Sequence, residues 1–175
     1  MKKIARILAL LLVVVMLCSV LVSCAGKPNE DPKEASDALK DAEYIVKLYE
    51  KGQAVVENAE YALQAVKMGD LDFLDMMTMD EEEIDEMMKE MEGETVVFDF
   101  IMVFYFKNEK DAEKSVDEVE ELAEGFIDEE IGNWARLFEE EYEKYDITVE
   151  FEPGEVTLDG CMVYIGTPGA LKDAA

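Results

Sequence analysis

The sequence predicts an α+β domain: N-terminal helices, then strand, long helix and three strands in a small, largely antiparallel sheet, with helices mainly on one face. Three observations carry this. Residues 95–107 alternate with apolar side chains on both faces: Val96, Phe98, Phe100, Met102, Phe104 and Phe106 on one, Val97, Ile101, Val103 and Tyr105 on the other. That is the pattern of a central strand covered on both sides. Apolar residues spaced three and four apart precede and follow it, as in amphipathic helices. Residues 147–165 then alternate again around Pro153-Gly154 and Asp159-Gly160, two turn signals that fold short strands back on one another.

Taken in order, Asp31-Pro32-Lys33-Glu34 opens the first helix. Asp31 caps free amides, Pro32 suits the first turn, and Glu34 stands three residues after the cap. Ala42, Ile45, Tyr49, Gly52, Val56, Ala59, Leu63 and Val66 recur every three or four residues, which predicts a helical stripe running on to Gly69. Residues 70–92 hold eleven acidic residues, one lysine and six of the eleven methionines. Thr78 and Glu81 form a capping box there, and Ile84, Met87, Met88 and Met91 follow at helical spacing before Gly93. The expectation is a short acidic helix, weakly docked because its charges repel one another.

After the central strand, Asn108 caps a helix with the stripe Ala112, Val116, Val119, Leu122, Ala123 and Phe126. The stripe resumes at Ile131, Trp134, Leu137 and Phe138, with Gly125 and Gly132-Asn133 marking a bend or break. Ile147, Val149 and Phe151 make a second strand, residues 155–158 a third and 161–165 a fourth. Thr167-Pro168 starts a last short helix. A ferredoxin-like half-plait is one description of such an order.

The N-terminus reads differently. Lys2, Lys3 and Arg6 precede an apolar run over residues 7–22, shorter than the roughly 20 residues a membrane-crossing helix needs. A basic stretch followed by a short apolar one is the pattern of an export signal. It ends in Leu21-Val22-Ser23-Cys24, and here the sequence resembles the lipobox of bacterial lipoproteins, over residues 1–24 alone. The resemblance implies that the Cys24 thiol receives a diacylglycerol, that the preceding bond is cut, and that Cys24 becomes the first mature residue. Two acyl chains of the palmitate kind suit the physics, since one chain binds a membrane only marginally. The expected division is a signal peptide over 1–23, a tether over 24–30 and one acidic domain over 31–175, on the extracytoplasmic side of the cell membrane.

Charge narrows the function. All 43 acidic residues lie after Cys24 against thirteen basic ones, so the exported part carries −30. Such a field repels nucleic acid and favours cations or basic envelope proteins as partners. Histidine is absent, which removes Ser-His and Cys-His catalysis. Cys161 is the one cysteine of the exported part besides Cys24, and its apolar context predicts a small buried residue. Ser36 and Ser115 lack flanking glycines of a nucleophile elbow, and no phosphate loop or dinucleotide fingerprint is present. Asp70, Asp72 and Asp75 miss the calcium-loop pattern because Leu74 takes a ligand position and no glycine follows.

Two groups of residues stand out as candidate sites. Met76, Met77, Met79, Met87, Met88 and Met91 form a candidate interaction surface, or a thioether set for monovalent copper. Asp99 breaks an otherwise apolar strand face and calls for a partner, with Arg136 beside Trp134 as one candidate. The expected function is a non-enzymatic, membrane-tethered binding or interaction module of the cell envelope, without a cofactor. The alternatives are a cation-binding protein using residues 70–92 and a carboxylate-dependent hydrolase.

Overall fold

The computed structural model describes residues 26–69, 79–131 and 139–175. They form α1 (Pro32–Asp41), β1 (Ile45–Glu50), β2 (Ala59–Met68), α2 (Glu81–Glu90), β3 (Thr95–Phe106), α3 (Glu109–Lys114) and α4 (Val116–Gly125). A π-helical segment (Phe126–Ile131) follows, then α5 (Glu139–Lys144), β4 (Thr148–Glu150), β5 (Thr157–Asp159), β6 (Met162–Gly166) and α6 (Pro168–Asp173). The class is α+β, and one six-stranded sheet has the order β1-β2-β3-β6-β5. Its neighbours pair antiparallel, while β4 joins the start of β3 in parallel. This order opens on the three-stranded meander β1-β2-β3, and so is not the βαββαβ half-plait.

Strand β3 is the spine, as its two apolar faces require. Phe100, Met102, Phe104 and Phe106 share one core with Ala62, Val163 and Ile165, covered by Ala112 of α3 and Val119 and Ala123 of α4. On the opposite face, Ile101, Val103 and Tyr105 join Leu63, Ala65, Met162 and Tyr164 under Ala35 and Leu39 of α1 and Ala170 and Leu171 of α6. Helices therefore cover both faces of the sheet, as the two apolar sides of β3 led one to expect, and are not gathered mainly on one. A strand apolar on both sides leaves two faces to shield from water.

The largest departure from the sequence reading lies between residues 42 and 68. The predicted helix ends at Asp41, and β1 and β2 form an antiparallel hairpin instead. Spacings of three and four coexist here with alternation: Val46 and Leu48 pack with one core and Tyr49 with the other, as do Leu63 and Ala65 against Ala62 and Val66. A segment apolar on two sides satisfies both periods. Left-handed backbone decides it: Gly52 at φ 84° and Asn58 at φ 66° reverse the chain within the loop, where a helix has no place for either.

The caps explain other boundaries. Asp31 accepts amide bonds from Lys33 and Glu34 at the start of α1. Helix α2 is capped by Asp80, whose carboxylate accepts from the Glu82 and Glu83 amides while Glu83 accepts from the Asp80 amide at 3.0 Å. The capping box thus begins two residues later than expected, and Thr78 lies outside the described residues. Asn108 caps α3 as expected, accepting from the Asp111 amide at 3.1 Å. The bend expected at Gly125 is the switch into the π-helical segment, preceded by a break at Ser115.

A third apolar cluster seats α2 at the start of β3. Met88 is fully buried among Met68, Val96, Tyr142, Tyr145 and Ile147, with Met79, Ile84, Met87 and Met91 packed around them. Asp85 adds a polar latch to the end of α5: Lys144 donates to its carboxylate, and the Tyr145 hydroxyl does so at 2.6 Å. Lys144 first, then Tyr145, holds the Asp85 carboxyl below the usual carboxylate range. A lowered folded-state pKa contributes stability above the unfolded value, near about 4, that is lost as pH falls through the folded value. Asp85→Asn is therefore expected to lower the melting temperature at pH 7 and to match the wild type once the pH falls below the folded-state value, read by circular dichroism melts. A gap that persists unchanged at low pH would contradict the latch.

Candidate functional site

Strand register builds one cleft at the end of the sheet. Tyr61 of β2 stands opposite Tyr105 of β3, Tyr105 opposite Met162 of β6, and Met162 opposite Asp159 of β5. Four strands thus place one row of side chains side by side on the face covered by α1 and α6. The row borders a cleft of about 420 Å³ that is also lined by Lys27, Glu30, Pro32 and the Gly160-Cys161 turn. Size and lining, aromatic side chains with a few polar groups, are those of a binding surface.

Lys27 holds the cleft together. Its ammonium lies 2.9 Å from both Asp159 and Glu30, whose hydrogen bonds hold it above the usual lysine range. Glu60, another lining residue, pairs with Lys51 at 3.4 Å. The Tyr105 hydroxyl donates to the Asn29 carbonyl at 3.1 Å, and burial, then the Asp31 charge, pushes that hydroxyl above the usual tyrosine range. Cys161, expected to be buried, is an exposed thiol on the rim. It stands between the Gly160 turn and β6, its carbonyl bonded to the Phe106 amide while its side chain stays at the exposed edge.

A second polar row borders the same core farther along β3. Asp99 faces Lys67 across the β2-β3 ladder and accepts a short hydrogen bond from the Thr167 hydroxyl. Gly169 makes the approach of α6 tolerable, since a Cβ there would sit 2.8 Å from both carboxylate oxygens of Asp99. Tyr44 donates to Asp173 at 3.3 Å, and burial, then the charges of Asp99 and Asp173, raises its hydroxyl above the usual range. Lys67 donates to the Ala42 carbonyl at 2.9 Å and stands over the Tyr44 ring. Asp99 thus has the partner that a half-buried carboxylate needs, in a structural network that pins α6 to the sheet. Arg136, its candidate partner from the sequence, lies outside the described residues, as do Cys24, Met76 and Met77.

The other methionines fall differently from expectation. Met88 is buried and Met79, Met87 and Met91 are half-buried against it, so their thioethers form a core where an interaction surface was expected. The reason is the length of β3, which extends beyond its helical cover and leaves Val96 to be shielded by α2. Ser36 and Ser115 are also buried and present no hydroxyl to a substrate. Among the described residues no group of three or more acidic or cysteine side chains is arranged to hold a metal ion, and no helix is long and apolar enough to cross a membrane. The cleft residues escaped sequence reading because only the pairing of four strands unites them; the Asp159-Gly160 hairpin signal was the one local clue. No family model matches the chain, and neither does any curated protein or solved structure.

Proposed function

We propose that this protein is an extracytoplasmic lipoprotein, tethered to the cell membrane through a lipid on Cys24, whose acidic domain is a non-enzymatic binding or interaction module of the envelope. The observation that carries the tether is Leu21-Val22-Ser23-Cys24 at the end of a basic and then apolar N-terminus. The binding role is supported by the cleft, where half-buried Tyr61 borders a pocket whose carboxylates Glu30 and Asp159 are engaged by Lys27. The field of a −30 domain favours a basic or cationic partner. Burial of Met88 weighs against soft-metal binding by the methionine helix, because thioethers inside a core are not free to ligate.

Expression in a bacterium with lipoprotein maturation tests the tether. The wild type is expected to enter the detergent phase and to take up a fatty-acid analogue, and Cys24→Ala is expected to lose the label. Equal labelling of the two would overturn the assignment.

A further inference from the structure

We infer that the anchored domain sits flush on the bilayer, with its α1/α6 layer toward the lipid and its α3/α4 layer away from it. This rests on the lipid-anchor reading of Cys24. Residues 26–30, the described part of the tether expected over 24–30, are built into the fold. Gly26 lies so close to α6 that a Cβ there would come within 2.6 Å of the Leu171 carbonyl oxygen. Pro28 is fully buried. The Asn29 amide donates to the Ala174 carbonyl at 2.7 Å, and its carbonyl receives the Tyr105 hydroxyl. Lys27 is clamped to Asp159.

These contacts leave two peptide steps between Gly26 and Cys24, a reach of at most about 7 Å. A lipid on that leash holds the surface around Leu171 and Lys172 at headgroup level. Charge agrees with this placement. Residues 26–41 and 168–175 carry Lys27, Lys33, Lys40 and Lys172 against six carboxylates. Residues 109–125, on the opposite side of the sheet, carry Lys110 and Lys114 against eight. Near-balanced charge approaches lipid phosphates with little repulsion, whereas the strongly acidic layer is driven from them. The cleft, beginning at Lys27, then takes its ligand at the bilayer surface.

The test uses the full mature lipoprotein, purified from bacterial membranes and reconstituted into vesicles of phosphatidylethanolamine and phosphatidylglycerol. In a Cys161→Ser background, a fluorophore is placed on Lys172→Cys or on Glu120→Cys, both exposed positions, and headgroup-spin-labelled phospholipid is the quencher. Circular dichroism establishes that each variant is folded. Quenching is expected to be several-fold stronger at position 172 than at 120. Equal or reversed quenching in protein that floats with the vesicles would overturn the orientation and leave the anchor standing. Protein that fails to float would overturn both.

Discussion

Phe100→Ala is expected to destabilise the domain by about 3 to 5 kcal/mol, the range for removing a fully buried aromatic from a close-packed core. Phe100 is 0 % exposed and stands where three elements meet: its ring lies 6.0 Å from Phe126 of the π-helical segment and 5.6 Å from Phe151 after β4. Alanine would remove those ring contacts and leave a cavity that two covering helices, held to a six-stranded sheet, cannot close. For a chain of this size the melting temperature should fall by roughly 10 °C. Val97 provides the internal comparison. It lies on the same strand but is 45 % exposed, so Val97→Ala should change stability by no more than about 0.5 kcal/mol. Similar losses at the two positions would show that the sheet is not covered as described.

Met88→Ala is expected to cost about 2 to 5 kcal/mol, a core penalty, although it sits in the most acidic stretch of the chain. Composition alone favours a small effect, because eleven carboxylates over residues 70–92 oppose docking. Burial decides the other way. Met88 is 0 % exposed beneath Tyr142, Tyr145 and Val96, and Asp85 latches the same helix to Lys144. Glu86→Ala, on the exposed side of α2, should be nearly neutral by comparison. Denaturant melts of both variants, with amide exchange over residues 81–90, measure the contrast. An unchanged midpoint for Met88→Ala would return the segment to the role of a loosely held surface.

These two positions also show what the sequence could and could not reveal. Both faces of β3 were legible from Phe100 to Phe106, because a long run of aromatic and β-branched residues alternates with the strand period, whereas Val97, expected on a covered face, is exposed. The Asp159-Gly160 hairpin and the caps at Asp31 and Asn108 were legible because their chemistry is local. The β1-β2 hairpin was not, since a stretch apolar on two sides fits a helix and a strand alike, and the loop at Gly52 and Asn58 settles it only through its backbone angles. Met88 read as surface because it lies in an acidic stretch, while in space it meets Val96 of β3 and Tyr142 and Tyr145, which come from much later in the chain. Asp99 was legible as an anomaly, but its partner Thr167 comes from 68 residues away. The cleft exists only once strand order brings Tyr61, Tyr105, Met162 and Asp159 into one row.

The proposed envelope location depends on one covalent bond, the expected thioether between lipid and the Cys24 sulfur. Intact-mass spectrometry of the protein extracted from membranes of a bacterium with lipoprotein maturation measures it directly. The expected species begins at Cys24 and carries the added mass of a diacylglyceryl group. A chain that retains residues 1–23, or one whose Cys24 is an unmodified thiol, would contradict the lipid anchor.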